Sequence, residues 1–254
     1  MGDDKQTPAP VGGQPNMFEV LAAEAERKAN SGQSCFGIKY EDGVIIAGLK
    51  QKRSKIHEID TVEKVYEISD TMCIGYSGVM ADGVALVKNA RYSVQNHILK
   101  FGEEPSVEKI AEDLSNVMRH YASTSGVKPF GVKMLVGGYD EEPRLFESTL
   151  KGIEGNGEYL AKAIGVYSEK IDEHFDANYK KGIAKKDAED LAFEALAMIE
   201  DFKAEEATKS GKSFTALTAD EIDFAYVTTN GFERAEKSFV ATALTEAKAK
   251  RRKA

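Results

Sequence analysis

Few side chains in this sequence are placed to act as nucleophiles, general bases or metal ligands. The two cysteines, Cys35 and Cys73, stand inside the apolar strings C-F-G-I and T-M-C-I-G-Y-S-G. Such settings predict buried free thiols in a reducing compartment rather than a disulfide framework. Two thiols alone make no zinc site, and His57, His97, His120 and His174 form no H-x-x-x-H pair, so a metalloenzyme has little support. Asp187, Glu189 and Asp190 read as an exposed face near a helix start, where negative charge is mildly stabilising. Read from its neighbours alone, Lys64 in V-E-K-V is a solvated lysine at a strand end, and Gly78 in S-G-V is a turn glycine. His57 in S-K-I-H-E is expected at the surface, and Met198 and Phe202 in a core. The C-terminal K-A-K-R-R-K-A is basic, but the chain carries a net charge of −8. That balance argues against a generic nucleic-acid binder and makes the tail a solvated, frayed end.

The elements that must position these groups follow from hydrophobic spacing. Residues 1–16 are rich in Gly, Pro, Gln and Asp and read as a mobile arm. Phe18, Leu21, Ala22, Ala25 and Ala29 keep helical spacing, ended by Asn30-Ser31-Gly32. Strand-like runs at Cys35–Tyr40 and Val44–Leu49 flank Glu41-Asp42-Gly43, and an Asp-Gly turn between such runs signals a hairpin. A second hairpin is expected from Val62–Ile68 and Met72–Tyr76. Two helices follow, one carrying Met80, Val84, Val87, Val94, Ile98 and Phe101, the other Val107, Ile110, Ala111, Leu114, Val117, Met118 and Tyr121 with Ser106 as N-cap. Strands are expected again at Gly131–Tyr139, Arg144–Ser148 and Tyr159–Ile164. Helices at Tyr167–Tyr179 and Lys185–Lys203, a strand at Asp223–Thr228 and a charged tail from Ala235 complete the chain.

This order, strands then two helices and again strands then two helices, fits two stacked sheets covered by helices on both outer sides. It is too rich in hairpins for a doubly wound parallel sheet. The chain is 254 residues long and 42% hydrophobic, enough for one large domain, expected over 17–235 with a C-terminal helix and basic tail at 236–254. No run of eighteen apolar residues occurs, and M-G-D-D-K-Q-T-P-A-P lacks a basic region followed by an apolar one. A soluble, cytoplasmic protein without membrane contact is therefore expected.

Several strings, read together and in order, resemble proteasome subunits from about Phe18 to Thr229. They are F-G-I-K-Y-E-D-G-V-I-I-A at 36–47, V-E-K-V-Y-E-I-S-D at 62–70, S-G-V-M-A-D at 77–82 and G-V-K-P-F-G-V at 126–132, continued by V-G-G-Y-D, E-P-R-L-F and A-I-G. The resemblance implies an α+β fold, the four-layer αββα sandwich of N-terminal-nucleophile hydrolases. In that family β-type subunits are threonine proteases and α-type subunits are not. A nucleophile of this kind must be residue one, with a hydroxyl or thiol and a free α-amine to take the proton. The matching position after Gly32 is Gln33, whose carboxamide cannot attack. Leu49-Lys50, where the catalytic acid is expected, holds no acid. F-E-V-L-A-A-E-A resembles the α-type ring helix, placed here at 17–30, and G-V-K-P-F-G-V resembles the α-type G-V-R-P-Y-G-V. The α-type start, Y-D-R followed by S-P-D-G-R-L, is missing, and T-P-A-P-V-G-G-Q-P-N-M stands in its place.

The resemblance therefore implies a non-catalytic α-type subunit of a heptameric ring, homomeric or mixed, that caps β-type rings and controls access of unfolded proteins. It implies no cofactor. Its implied partners are other α subunits, β-type subunits and the C-terminal tails of activator ATPases, with Lys64, Gly78 and Val79 lining the pocket that takes a tail carboxylate. An active hydrolase using Ser34 or Cys35 after propeptide removal, and a stand-alone scaffold that has lost the ring, are the alternatives.

Overall fold

The computed structural model describes residues 17–52, 56, 61–124, 126–153 and 157–252. The arm expected at 1–16, His57 and the last two residues of the basic tail lie outside them. Strands β1 (Cys35–Tyr40), β2 (Gly43–Leu49), β9 (Ala161–Ile164), β10 (Ile222–Thr228) and β11 (Gly231–Arg234) form one antiparallel sheet in the order β11-β10-β2-β1-β9. Strands β5 (Val65–Ser69), β6 (Met72–Gly78), β7 (Val132–Tyr139) and β8 (Pro143–Ser148) form a second in that order. A two-stranded ribbon of β3 (Gln51–Lys52) and β4 (Thr61–Val62) stands apart from both.

Both sheets are buried on two faces, and strand periodicity sorts their side chains. In β1 and β2, Phe36, Ile38, Tyr40, Ile45, Ala47 and Leu49 turn towards helices α4 (Ser168–Asn178), α5 (Lys185–Ser210) and α6 (Lys237–Arg251). Their alternates Cys35, Val44 and Ile46 turn towards the second sheet. In β6 and β7, Ile74, Tyr76, Met134 and Val136 likewise face α2 (Met80–Phe101) and α3 (Val107–Ser123), while Cys73 and Leu135 face inward. The result is the αββα sandwich. Helix α1 (Met17–Asn30) lies against β6 and β7, with Ala25 and Ala29 buried there.

Local signals set most boundaries. Ser106 caps α3 by accepting the Lys109 N–H at 3.2 Å, and Gly102, at φ 80°, ends α2 by donating to the Ile98 carbonyl. Several boundaries differ from expectation. The run read as one strand over Val62–Ile68 is broken at Glu63–Lys64. Helix α5 continues beyond Lys203 to Ser210, as an exposed extension ended by Gly211 at φ 65°. Tyr167 is not helical: it caps α4 in a left-handed conformation at φ 64°. In the C-terminal helix, Val240, Leu244 and Ala247 are buried in the core, and the helix packs against α5. Of its basic residues, Lys248 is drawn inward to Glu200 at 2.6 Å, while Arg251 pairs with Asp201 at 2.9 Å on the surface.

Candidate functional site

The mouth of β1 is built from close backbone approach. A Cβ on Gly32 would lie 2.0 Å from the Gly78 nitrogen, and one on Gly165 would lie 2.4 Å from the Ser77 Oγ. These glycines let the end of α1, the end of β6 and the turn after β9 converge, tied by the Val166 N–H to the Gly32 carbonyl at 2.9 Å and the Ser77 hydroxyl to the Ala29 carbonyl at 2.9 Å. Gln33 follows at once, and the peptide chain runs through it from α1 into β1. Its side-chain oxygen accepts from the Lys203 ammonium at 3.3 Å.

The neighbouring hydroxyl and thiol are committed elsewhere. The Ser34 hydroxyl donates to the Val166 carbonyl at 2.5 Å. Cys35 is fully buried between the sheets, and burial pushes its thiol up to about 12, so it is not a thiolate at neutral pH. Leu49 is packed in the core. Among the described residues, no group of three or more His, Cys, Asp or Glu could hold a metal ion, and no helix is long and apolar enough to cross a membrane.

Lys64, read from its neighbours as solvated, lies inside the protein at 2% exposure. It sits in the break between β4 and β5, its ammonium 4.3 Å from the Tyr76 ring centroid and its Cβ beside Gly48. Burial lowers its basicity. Gly78 and Val79 are half-buried at the far end of β6, and Val79 is the N-cap of α2. Because Val65 pairs with Gly75, Lys64 enters β5 opposite the strand that carries Gly78, so all three expected residues fall at one end of the β5–β6 pair. Gly78 has φ 115°, and a Cβ there would lie 2.2 Å from the Gly131 carbonyl oxygen.

Two residues that drew no attention in the sequence complete the surroundings of Lys64. Asp223, 3% exposed on β10, accepts the Lys64 N–H at 2.8 Å and the Val65 N–H at 3.0 Å with one oxygen, and its other oxygen pairs with Arg234 on β11. Arg234 also donates to the Val65 carbonyl at 2.7 Å and pairs with Glu63 at 3.2 Å. The one signal for them in the sequence was an acid at the start of the otherwise apolar strand I-D-F-A-Y-V.

The family described as Proteasome subunit matches residues 29–213. A protein named Proteasome subunit alpha from Archaeoglobus fulgidus is 34% identical over 183 residues, 72% of each chain. Proteins of the same name from Haloquadratum walsbyi, 30% identical over 87% of this chain and 90% of the relative, and from Methanocaldococcus jannaschii, 35% identical over 74% and 72%, are similar to it as well.

Proposed function

Since this chain belongs to the proteasome subunit family, we propose that it serves as a non-catalytic α-type subunit, forming a heptameric ring that gates substrate access to β-type protease rings and docks activator ATPases. Its role as an α-type proteasome subunit is supported by the names of its relatives. The observation that carries the non-catalytic reading is Gln33: a carboxamide, held by Lys203, stands where an N-terminal nucleophile would have to be. The rival hydrolase is disfavoured by a Ser34 hydroxyl already donated to a main-chain carbonyl and by a Cys35 thiol held protonated.

Docking, in this reading, uses Lys64, Gly78 and Val79. The Lys64 ammonium is enclosed in the isolated subunit, so a tail carboxylate must draw the side chain out of its seat over Tyr76 to form a charge-assisted bond. The cytoplasm is the proposed compartment, and unfolded proteins the proposed traffic. The pure chain should neither cleave fluorogenic peptides nor be labelled by threonine-directed epoxyketones, and its intact mass should retain Gln33. Measurable labelling, or a mature chain beginning at Ser34 or Cys35, refutes the non-catalytic reading.

A further inference from the structure

The pair of buried Asp223 and part-exposed Arg234 is bonded to the main chain of Lys64 and Val65 and not to the Lys64 ammonium. Asp223 and Arg234 come from neighbouring strands of one sheet, β10 and β11. Together they grip three consecutive residues that lead into the edge strand of the other. Glu63 is held through its carboxylate, Lys64 through its N–H, and Val65 through both its N–H and its carbonyl. Every bond to Lys64 in this set is to its main chain. Its side chain is left to the Tyr76 ring, and among the described residues no carboxylate pairs with its ammonium.

We propose that Asp223 and Arg234 are positioning residues for Lys64: they fix the backbone from which the side chain pivots while leaving the ammonium free to move from the Tyr76 ring to an incoming carboxylate. The inference rests on the reading of Lys64 as the docking group. Two physical points favour it over a purely structural ion pair. The Asp223 carboxylate spends its oxygens on two main-chain N–H groups and a guanidinium, so it anchors the Lys64 backbone without holding the side chain. A fixed pivot also lowers the ordering cost of binding, since only side-chain rotation remains to be restricted when the carboxylate arrives.

The test uses the assembled ring, with Arg234→Met, Arg234→Lys and Lys64→Ala beside the unaltered protein. Arg234 is the residue to change because its side chain is about one-third exposed, at 35%, whereas Asp223 is at 4%. Two quantities are read on rings whose assembly is verified by native gels. One is the rate of reductive methylation of the Lys64 amine by formaldehyde and dimethylamine-borane, followed by peptide mass spectrometry with the exposed Lys128 as internal reference. The other is the affinity for a fluorescent octapeptide copied from an activator ATPase C-terminus, with the C-terminal amide of the same peptide as control.

For Arg234→Met, methylation of Lys64 should rise by roughly tenfold as the segment opens locally. Affinity for the free-acid peptide should fall by about threefold to tenfold, the equivalent of one lost main-chain hydrogen bond. Arg234→Lys should restore part of both, since an ammonium meets Asp223 but cannot bridge to Val65 and Glu63 as a guanidinium does. A role confined to stability would raise methylation as the segment loosens but leave the affinity of intact rings unchanged, so unaltered affinity for the free-acid peptide in Arg234→Met rings refutes the positioning role. If Lys64 methylates at the unaltered rate in Arg234→Met rings, the positioning role is refuted. Should those rings not form, an unaltered methylation rate in Arg234→Lys rings refutes it equally. If methylation rises in Arg234→Met rings but Lys64→Ala rings bind the free-acid peptide as well as the unaltered protein, Asp223 and Arg234 still hold the Lys64 segment and it is the docking reading that fails. If Lys64→Ala abolishes binding while Arg234→Met changes neither quantity, docking stands and the positioning fails.

Discussion

Replacing Gly78 by Ala tests whether the convergence at the mouth of β1 is held by close backbone approach or merely by a permissive turn. Gly78 sits at φ 115°, and its added Cβ would meet the Gly131 carbonyl oxygen at 2.2 Å, the Ala29 Cα at 2.9 Å and the Val132 Cα at 3.0 Å. All three are backbone atoms, so no flexible side chain can yield. The conformation alone costs an alanine about 1–3 kcal/mol. Moving the Gly131 carbonyl also endangers the 2.9 Å bond it accepts from the Val79 N–H, a further loss of about 0.5–1.5 kcal/mol. Together these predict a destabilisation of roughly 2–4 kcal/mol, or a fall in Tm of about 4–16 °C for a chain of this size. Gly102→Ala is the matched control, because Gly102 also has positive φ, 80°, but no atom lies within 4 Å of its added Cβ. Urea unfolding and thermal melts of both variants should place Gly78→Ala well below Gly102→Ala. Equal losses would refute the argument, since backbone conformation would then account for everything and the approach of α1 to β6 and β7 for nothing.

Three further outcomes are expected. Ser106→Ala should cost about 1 kcal/mol in urea unfolding through loss of the cap on the Lys109 N–H, and Ser106→Asp should restore most of it. Burial holds Lys64 below the ordinary lysine value, so the unfolded chain binds the extra proton and stability should rise with pH towards about 10.4. Lys64→Met should flatten that rise in urea titrations run at a series of pH values, and an unaltered slope would show that Lys64 does not cause it. Removal of residues 1–16 should leave the melting temperature of the subunit unchanged while altering peptide hydrolysis by an assembled core. A melting temperature lowered by many degrees, or unaltered hydrolysis, would contradict the reading of this segment as a gate arm.

What could be read in advance depended on how far each determinant lies along the chain. The α3 stripe was legible because Val107, Ile110, Ala111, Leu114 and Met118 are neighbours on one face, and all five are buried. The Asp-Gly hairpin signal found its turn for a different physical reason. Gly43 is the first residue of β2, outside the two-residue turn Glu41-Asp42, and it is needed because a Cβ there would lie 2.5 Å from the Val227 carbonyl of β10. The break at Glu63–Lys64 was not legible. T-V-E-K-V-Y-E-I-S reads as strand on both sides of Glu63-Lys64, two residues only mildly disfavoured in strands, and the carboxylate that grips its main chain lies 159 residues further on. The reading of Lys64 from its neighbours alone as a solvated strand-end lysine fails for the same cause, since the ring and the acid that surround it belong to β6 and β10. A long-range pairing leaves no periodicity in the segment it acts on, so local reading returns the average behaviour of lysine, which is exposure. The depressed basicity of Lys64 and the backbone grip around it are consequences of topology. They arise because β10 inserts beside β2 and brings Asp223 opposite Gly48, where the missing side chain leaves room for the Lys64 Cβ. On the docking reading, a lysine enclosed in this way, with its main chain fixed and its ammonium resting on a π face, can exchange that weak partner for a carboxylate, whereas one joined to Asp223 would have to break a buried ion pair first.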